Sequence, residues 1–356
     1  METIKDCIKN YSLADLQSLM HEWREPKYRA VQIFHEIYAQ RRESFEDFQV
    51  IPQALRNKIQ QKFIINSVVA PIVRKSSDGT TKYLFKLVAG DSVESVLIPS
   101  YDTNDDDLKR LTLCISSQVG CALDCAFCAT GKLKLMRNLS TAEIVDQVLN
   151  VERDTGLKIT NVVFMGMGEP LQNYDNMVKS VEILTNEISA IINRKHITIS
   201  TVGIVPKILQ LAELSRPVKL AVSLHATTNG VRDKLMPVNK KWNIEELRKA
   251  IEYYYRKTKI PVTYEYILFK DLNDSDEDVR RLVRFVNSVP SKINIIPFHD
   301  ISFIYSGITY LKSADINEIN AFARRLRDKG ANAFVRTSSG FDIEAACGQL
   351  AFSVRK

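Results

Sequence analysis

Leu111-Thr-Leu-Cys114-Ile115-Ser-Ser-Gln-Val-Gly-Cys121-Ala-Leu-Asp-Cys125-Ala-Phe-Cys128-Ala-Thr-Gly131 is the stretch that decides the fold. Its first five residues form a short apolar run that predicts a β-strand, and the loop after it carries Cys121, Cys125 and Cys128 in a C-x3-C-x2-C spacing. Thiolates this close in sequence can converge on one iron–sulfur cube. Three ligands leave one iron open, and an open iron can chelate a small molecule and pass it an electron, whereas a fully ligated cluster only relays charge. A structural zinc site would want a fourth Cys or His nearby, and buried unreactive thiols are the other alternative.

Downstream of this loop, short β-branched runs alternate with helical patterns. Strands are expected at Leu111 to Ile115, Asn161 to Met165, His196 to Ser200, Leu220 to Leu224, Val262 to Phe269, Ile293 to Pro297 and Ala333 to Arg336. Between the first two lies a helix from Ser140 to Asp154, where Ser140-Thr-Ala-Glu143 reads as a capping box and Ile144, Val145, Val148 and Leu149 as the buried face. Strand, helix, strand at this spacing means parallel βα units, and about six of them make an open α/β barrel over residues 108–356 whose functional groups gather at the carboxyl ends of the strands.

Upstream, residues 1–58 read as a helical accessory domain. Ser12 caps a helix bearing Leu13, Leu16, Leu19 and Met20, Pro26 ends it, a second amphipathic run spans Tyr28 to Tyr38, and a third short helix follows near Pro52. Residues 59–107 form a small β extension. Phe63-Ile64-Ile65, Lys82 to Leu87 after the turn signal Ser77-Asp78-Gly79, and Val93 to Ile98 are expected to be antiparallel strands, with the acidic run Asp102 to Asp107 as a linker to the barrel.

The 356 residues, 45% hydrophobic and 26% charged, exclude disorder and collagen-like repeats. No run reaches the 18 or more apolar residues of a membrane span, and the start Met-Glu-Thr-Ile-Lys-Asp lacks a signal-peptide core, so a cytoplasmic protein with no membrane partner is expected. The net charge of +7 arises from 49 basic and 42 acidic residues. Residues 1–60 are balanced, so the excess belongs to the remainder, which suits a polyanion partner without requiring one. Six cysteines in a cytosolic chain point to metal or redox chemistry rather than a disulfide framework; Cys7, with no motif around it, reads as structural.

The cysteine spacing resembles that of the radical S-adenosylmethionine superfamily, in which a [4Fe-4S] cube binds the amino-acid end of that cofactor. Further motifs narrow the match: Met165-Gly-Met-Gly168-Glu169-Pro170-Leu171, Ser200-Thr-Val-Gly203, Ser223-Leu224-His225-Ala226, Lys234-Leu-Met-Pro237 and Asp342-Ile-Glu-Ala-Ala-Cys347-Gly-Gln-Leu350. With them, nearly the whole chain is similar to the bacterial dual-specificity methyltransferases that modify C2 of an adenine in 23S rRNA and in some tRNAs. The resemblance implies a partial (βα)6 barrel and S-adenosylmethionine, two molecules per turnover. It implies cluster ligands Cys121, Cys125 and Cys128, and cofactor contacts Gly168, Glu169, Ser200, Ser223, Leu224 and His225. Where the family usually has an Asn, this chain has Pro297-Phe298-His299-Asp300, and His299, able to donate or accept a hydrogen bond, is expected in its place.

The resemblance also implies a mechanism. C2 of adenine is electron-poor and cannot attack a sulfonium methyl, so a radical route is needed. Cys347 is implied as the methyl carrier, Cys114 as the thiol that resolves a covalent protein–RNA adduct by disulfide exchange, and Glu94 as the base that accepts the C2 proton. An electron donor such as a flavodoxin or ferredoxin is implied as a partner. Lys132, Lys134, Arg137, Arg194, Lys195, Lys240 and Lys241 are candidates for gripping RNA phosphates near the barrel mouth. Two competing readings remain: a relative that methylates C8 of the same ribosomal adenine and confers antibiotic resistance, against which Pro170 and the Leu171-Gln-Asn-Tyr174 run weigh, and a non-catalytic iron–sulfur protein.

Overall fold

The computed structural model describes residues 5–102, 107–302, 305, 307, 310–336 and 339–351. Three helices open the chain: α1 (Leu13–Glu22), α2 (Tyr28–Tyr38) and α3 (Gln53–Lys62). Ser12 accepts from the Asp15 amide while the Asp15 carboxylate accepts from the Ser12 amide, which closes both ends of a capping box. Leu16, Met20, Ile33, Phe34, Ile37 and Tyr38 are buried between the helices, as their spacing requires. The third helix runs past the boundary expected at residue 58.

Ten strands then build one sheet whose spatial order follows the chain: β1 (Ile72–Lys75), β2 (Thr81–Lys86), β3 (Ser92–Tyr101), β4 (Leu108–Cys114), β5 (Asn161–Phe164), β6 (Ile197–Thr201), β7 (Lys219–Ser223), β8 (Val262–Leu268), β9 (Ser291–Pro297) and β10 (Ala333–Val335). The first four pair antiparallel and β4 to β10 pair parallel. All seven expected barrel strands are present. Parallel neighbours need a crossover, supplied by α4 (Thr141–Thr155), α5 (Tyr174–Leu184), α6 (Val205–Ala212), α7 (Asn229–Leu235) with α8 (Ile244–Thr258), α9 (Asp276–Val286) and α10 (Ile316–Asp328). This is the partial α/β barrel the alternation predicted. Ser140 and Glu143 form the expected capping box on α4.

Two expectations for the β extension are corrected. Phe63–Ile64 does not join the antiparallel strands; it pairs in parallel with Asp6–Cys7, and β1, which the sequence reading missed, is the partner of β2 across the Ser77-Asp78-Gly79 turn. The acidic run is not a linker between separate sheets, because it connects the paired neighbours β3 and β4; the Asp102 amide donates to the Asp107 carbonyl, and residues 103–106 lie outside the described ones.

The helical module is fastened to the barrel through Asp146 on α4. Its fully buried carboxylate pairs with Lys9 and accepts from the Ser67 amide (2.8 Å) and hydroxyl (2.6 Å). Cys7 is buried nearby, its thiol donates to the Ile65 carbonyl, and burial pushes its pKa to about 12, which agrees with a structural role.

Candidate active site

The loop after β4 is shaped by its backbone. Gly120 has φ +74°, and a Cβ there would lie 1.7 Å from the Lys134 carbonyl oxygen, so only glycine allows the turn that delivers Cys121. The Cys121 amide donates to that same Lys134 carbonyl, the Cys128 amide to the Cys125 carbonyl, and the Ala126 amide to the Leu235 carbonyl at the end of α7. Cys121, Cys125 and Cys128 thereby line one cleft of about 860 Å³, its open mouth included. Burial pushes the Cys121 thiol up to about 12, an effect increased by Cys128 and Glu169; burial and then the other two sulfurs raise Cys125 well above its ordinary range. Cys121 and Cys125, which resist ionising alone, together with Cys128 beside them form a donor set suited to a cube with one open corner. Among the described residues no three His, Cys, Asp or Glu groups are gathered on one metal ion; in a cube each thiolate takes its own iron, so such convergence is not required.

Gly168, Glu169, Ser200, Ser223 and His225 line the same cleft. The glycines of Met165-Gly-Met-Gly168 serve packing: a Cβ on Gly166 would meet the Ile115 carbonyl at 2.7 Å, and one on Gly168, at φ +95°, would meet the Gln118 side chain at 2.5 Å. Glu169 is buried, its two oxygens accepting from the Leu171 (3.0 Å) and Val202 (2.9 Å) amides. Burial lifts its carboxyl to about 7 despite those hydrogen bonds. His225, held at φ 53°, accepts the Ile267 amide on Nδ1 at 3.0 Å, which leaves the proton on Nε2; burial, aided by Arg232, lowers its pKa to about 3, so the ring is neutral. Phe127 packs edge-on against it with centroids 4.7 Å apart. Leu224 and His299 are placed differently from these. Leu224 is buried and does not line the cleft, and His299 lines an adjoining cavity with Arg110, Thr112 and Arg336.

Cys347 lines both cavities and is exposed. Its segment hangs on the cluster loop: the Ala129 amide donates to the Gly348 carbonyl at 2.7 Å and the Thr130 hydroxyl to the Leu350 carbonyl at 2.6 Å. From the other side, the Asp342 carboxylate accepts from Ser76 and Ser77, and Lys82 donates to the Glu344 carbonyl at 3.2 Å. Cys114, at the end of β4, is buried; burial raises its pKa to about 12, the sulfur of Cys347 adds to the rise, and Arg336 opposes it. The two cysteines are thus electrostatic neighbours, and both are free thiols. Glu94 on β3 is buried and lines neither cavity; its Oε1 lies 3.3 Å from Lys82 Nζ, so it sits beside a charge rather than among apolar groups alone. Of the candidate phosphate contacts, Arg137 is committed to Asp91 and Glu143, and Lys132 to Asp124.

Three residues escaped the sequence reading. Arg232 on α7 is fully buried and donates to the carbonyls of Val202, Ser223 and Leu224 and to Asn239, which pins the ends of β6 and β7 under the cleft. Glu265 and Arg336 line the cleft from β8 and the end of β10. No local pattern marks them, because a lone charge in an element reads as solvated surface until the fold is known.

Residues 115–283 match the radical SAM superfamily, and residues 8–65 match the ribosomal RNA large subunit methyltransferase N-terminal domain. The fold is similar to the crystal structure of a radical SAM methyltransferase from Sphaerobacter thermophilus, with a TM-score of 0.87, 38% identity, and coverage of 97% of this chain and 99% of that one. Fold and site together define a radical SAM methyltransferase, a class whose cofactors are a [4Fe-4S] cluster and S-adenosylmethionine. The dual-specificity RNA methyltransferase RlmN of Geotalea uraniireducens is 42% identical over 343 residues, 96% of each chain. A probable dual-specificity RNA methyltransferase RlmN of Christiangramia forsetii is 42% identical over 351 residues, 98% of this chain and 96% of that one. The chain belongs to this family of dual-specificity RNA methyltransferases and is an RNA-methylating enzyme; the relatives' names favour this reading over the C8 alternative. No helix among the described residues is long and apolar enough to cross a membrane.

Proposed function

We propose that the enzyme methylates C2 of an adenine in 23S rRNA and in some tRNAs, in the cytoplasm, with Cys347 as the methyl carrier. The observation that supports this most is that Cys347 lines the cleft holding Cys121, Cys125 and Cys128 while remaining an electrostatic neighbour of Cys114. Cys121, Cys125 and Cys128 would hold the cluster, and Gly168, Glu169, Ser200, Ser223 and His225 the cofactor. When bound, these groups supply an electron, a methyl group and, from a second cofactor molecule, a hydrogen-abstracting radical.

The chain's own residues do the rest. Cys347 takes the methyl on its sulfur and presents it toward both cavities; once that methyl has given up a hydrogen atom its carbon bonds to C2, and the ring radical so formed sheds the C2 proton and one electron, which the oxidised cluster would take back. Cys114, as a thiolate, resolves the bridge by attacking that sulfur: the disulfide forms as the sulfur–carbon bond breaks, and the released methylene carbon keeps the bond's electron pair and takes up a proton to become the methyl group. Burial keeps the Cys114 thiol protonated until then, which guards against premature exchange. Glu94, linked to the Cys347 segment through Lys82, is the proposed acceptor of the C2 proton. His299, in the cavity that shares Cys347 with the cleft, is proposed in the place of the family's Asn as a cofactor contact, and Leu224, between Ser223 and His225, as another. Residues 1–58 form the module proposed to engage the RNA fold, and a flavodoxin or ferredoxin is the proposed electron donor.

The test is anaerobic incubation of reconstituted enzyme with methyl-labelled cofactor and RNA. Label is expected first on Cys347 and then on C2 of adenine, located by mass spectrometry of digested RNA. Label passing to RNA without residing on Cys347, or appearing on C8, would overturn the proposal.

A further inference from the structure

The cleft holds a carboxylate that the proposed chemistry leaves unused. Glu265, in the middle of β8, is 4% exposed and lines the cleft beside Ser223, Ile267 and Arg336. It stands in register with Ser223 on β7 and Asn294 on β9. Its Oε1 accepts from Asn294 Nδ2 at 2.9 Å, whereas its Oε2 is buried and has no hydrogen-bond partner among the described residues. Burial raises its pKa, opposed by Arg336, Asn294 and Lys292.

A buried carboxylate oxygen without a donor is destabilising, and a strand interior has no need of one. Arg336 is close enough to attract Glu265, yet one of its guanidinium nitrogens is turned to the Met165 sulfur at 3.8 Å. Glu169, the other carboxylate in the cleft, already accepts an amide on each oxygen. Glu265 is therefore the carboxylate with a whole oxygen left to offer. A carboxylate repels phosphate and accepts from N–H and O–H, so it suits the nucleoside part of a nucleotide.

We propose that Glu265 Oε2 accepts a hydrogen bond from the adenosine moiety of a ligand in this cleft, through its exocyclic amine or a ribose hydroxyl. The inference deepens the proposed function and rests on it, since both the cofactor and the RNA target contribute an adenosine. Glu265 is a recognition residue, and the two sources are separated by experiment.

Glu265→Gln is the informative variant. Asn294 Nδ2 keeps the amide oxygen on its side, so the variant presents an NH2 donor where the acceptor had been, with the same shape. Binding of S-adenosylhomocysteine and of a stem-loop RNA carrying the target adenine is measured by calorimetry on the anaerobic holoenzyme, with thermal unfolding as a control. Weakening of S-adenosylhomocysteine by about tenfold or more supports the proposal with the cofactor as source; unchanged S-adenosylhomocysteine with a comparable loss for RNA supports it with the RNA base as source. Unchanged affinity for both overturns it. Should the variant fail to fold, the wild-type enzyme decides: inosine and deoxyribose analogues of each ligand that bind as tightly as the parent overturn the proposal, and a tenfold loss supports it. Wild-type enzyme that binds neither parent ligand refutes the reading of the cleft itself, a result distinct from failure of Glu265 alone.

Discussion

Replacing Asp146 with Ala should loosen the helical module from the barrel. The substitution leaves the Lys9 ammonium in a site where its side chain is 5% exposed, with Asn66 Oδ1 at 2.9 Å as its remaining hydrogen-bond acceptor, and it strips the Ser67 amide of its acceptor. Breaking one side of a buried ion pair costs roughly 3–5 kcal/mol, and the orphaned amide places the loss toward the upper end. Removing the ammonium as well, in Lys9→Met with Asp146→Ala, leaves the Ser67 groups and the part-buried Asn66 Oδ1 without these partners but no buried charge, at about 1–3 kcal/mol. The double variant is therefore expected to be more stable than the single one. The assay is anaerobic urea unfolding followed by the fluorescence of Trp23, which is buried among the amino-terminal helices, in a Trp242→Phe background. A double variant as unstable as Asp146→Ala, or a single variant within 1 kcal/mol of the parent by the buried-pair estimate, would refute the reasoning.

Two further outcomes follow from the site. In the cluster-free protein, His225 titrates at about 3 instead of 6.5, so its contribution is whole above pH 6.5 and is lost as pH falls toward 3; Glu169 titrates at about 7 instead of 4.5, so its contribution is whole below pH 4.5 and is lost as pH rises toward 7. Each slope is about 1.4 kcal/mol per pH unit and their signs oppose, so between pH 4.5 and 6.5 acidification should stabilise His225→Asn and destabilise Glu169→Gln, each relative to the parent; denaturant titration across this window checks it, and slopes of the same sign would sink it. Gly120→Ala should abolish most cluster loading while leaving the barrel folded, because the Lys134 carbonyl must move aside; iron content after reconstitution reads this out, and undiminished iron would contradict it.

The barrel was legible because its strands are compact β-branched runs set between capped helices, a signal that survives without tertiary context. The cysteine loop was legible through spacing alone. The strand Ile72–Lys75 was missed because Arg74 and Lys75 interrupt its apolar pattern, and it is recognised only by its register with Thr81–Leu84. The Phe63–Ile64 pairing with Asp6–Cys7 joins segments distant in sequence, which no local period encodes. The same limit hid Arg232, whose four hydrogen bonds reach three separate stretches of chain, and Glu265, whose open oxygen appears only when β7 and β9 stand beside it. His299 is read from its place in a motif, and the turn after β9 sets it in a cavity that shares Cys347 and Arg336 with the cleft.

The two hydrogen bonds from Ala129 and Thr130 to the carboxy-terminal segment begin at the residue immediately after Cys128. The position of the Cys347 segment is therefore tied to that loop directly, over a few bonds, and not by way of the sheet. The placing of the cluster loop and the placing of Cys347 are in this way one structural question, tied by two short hydrogen bonds.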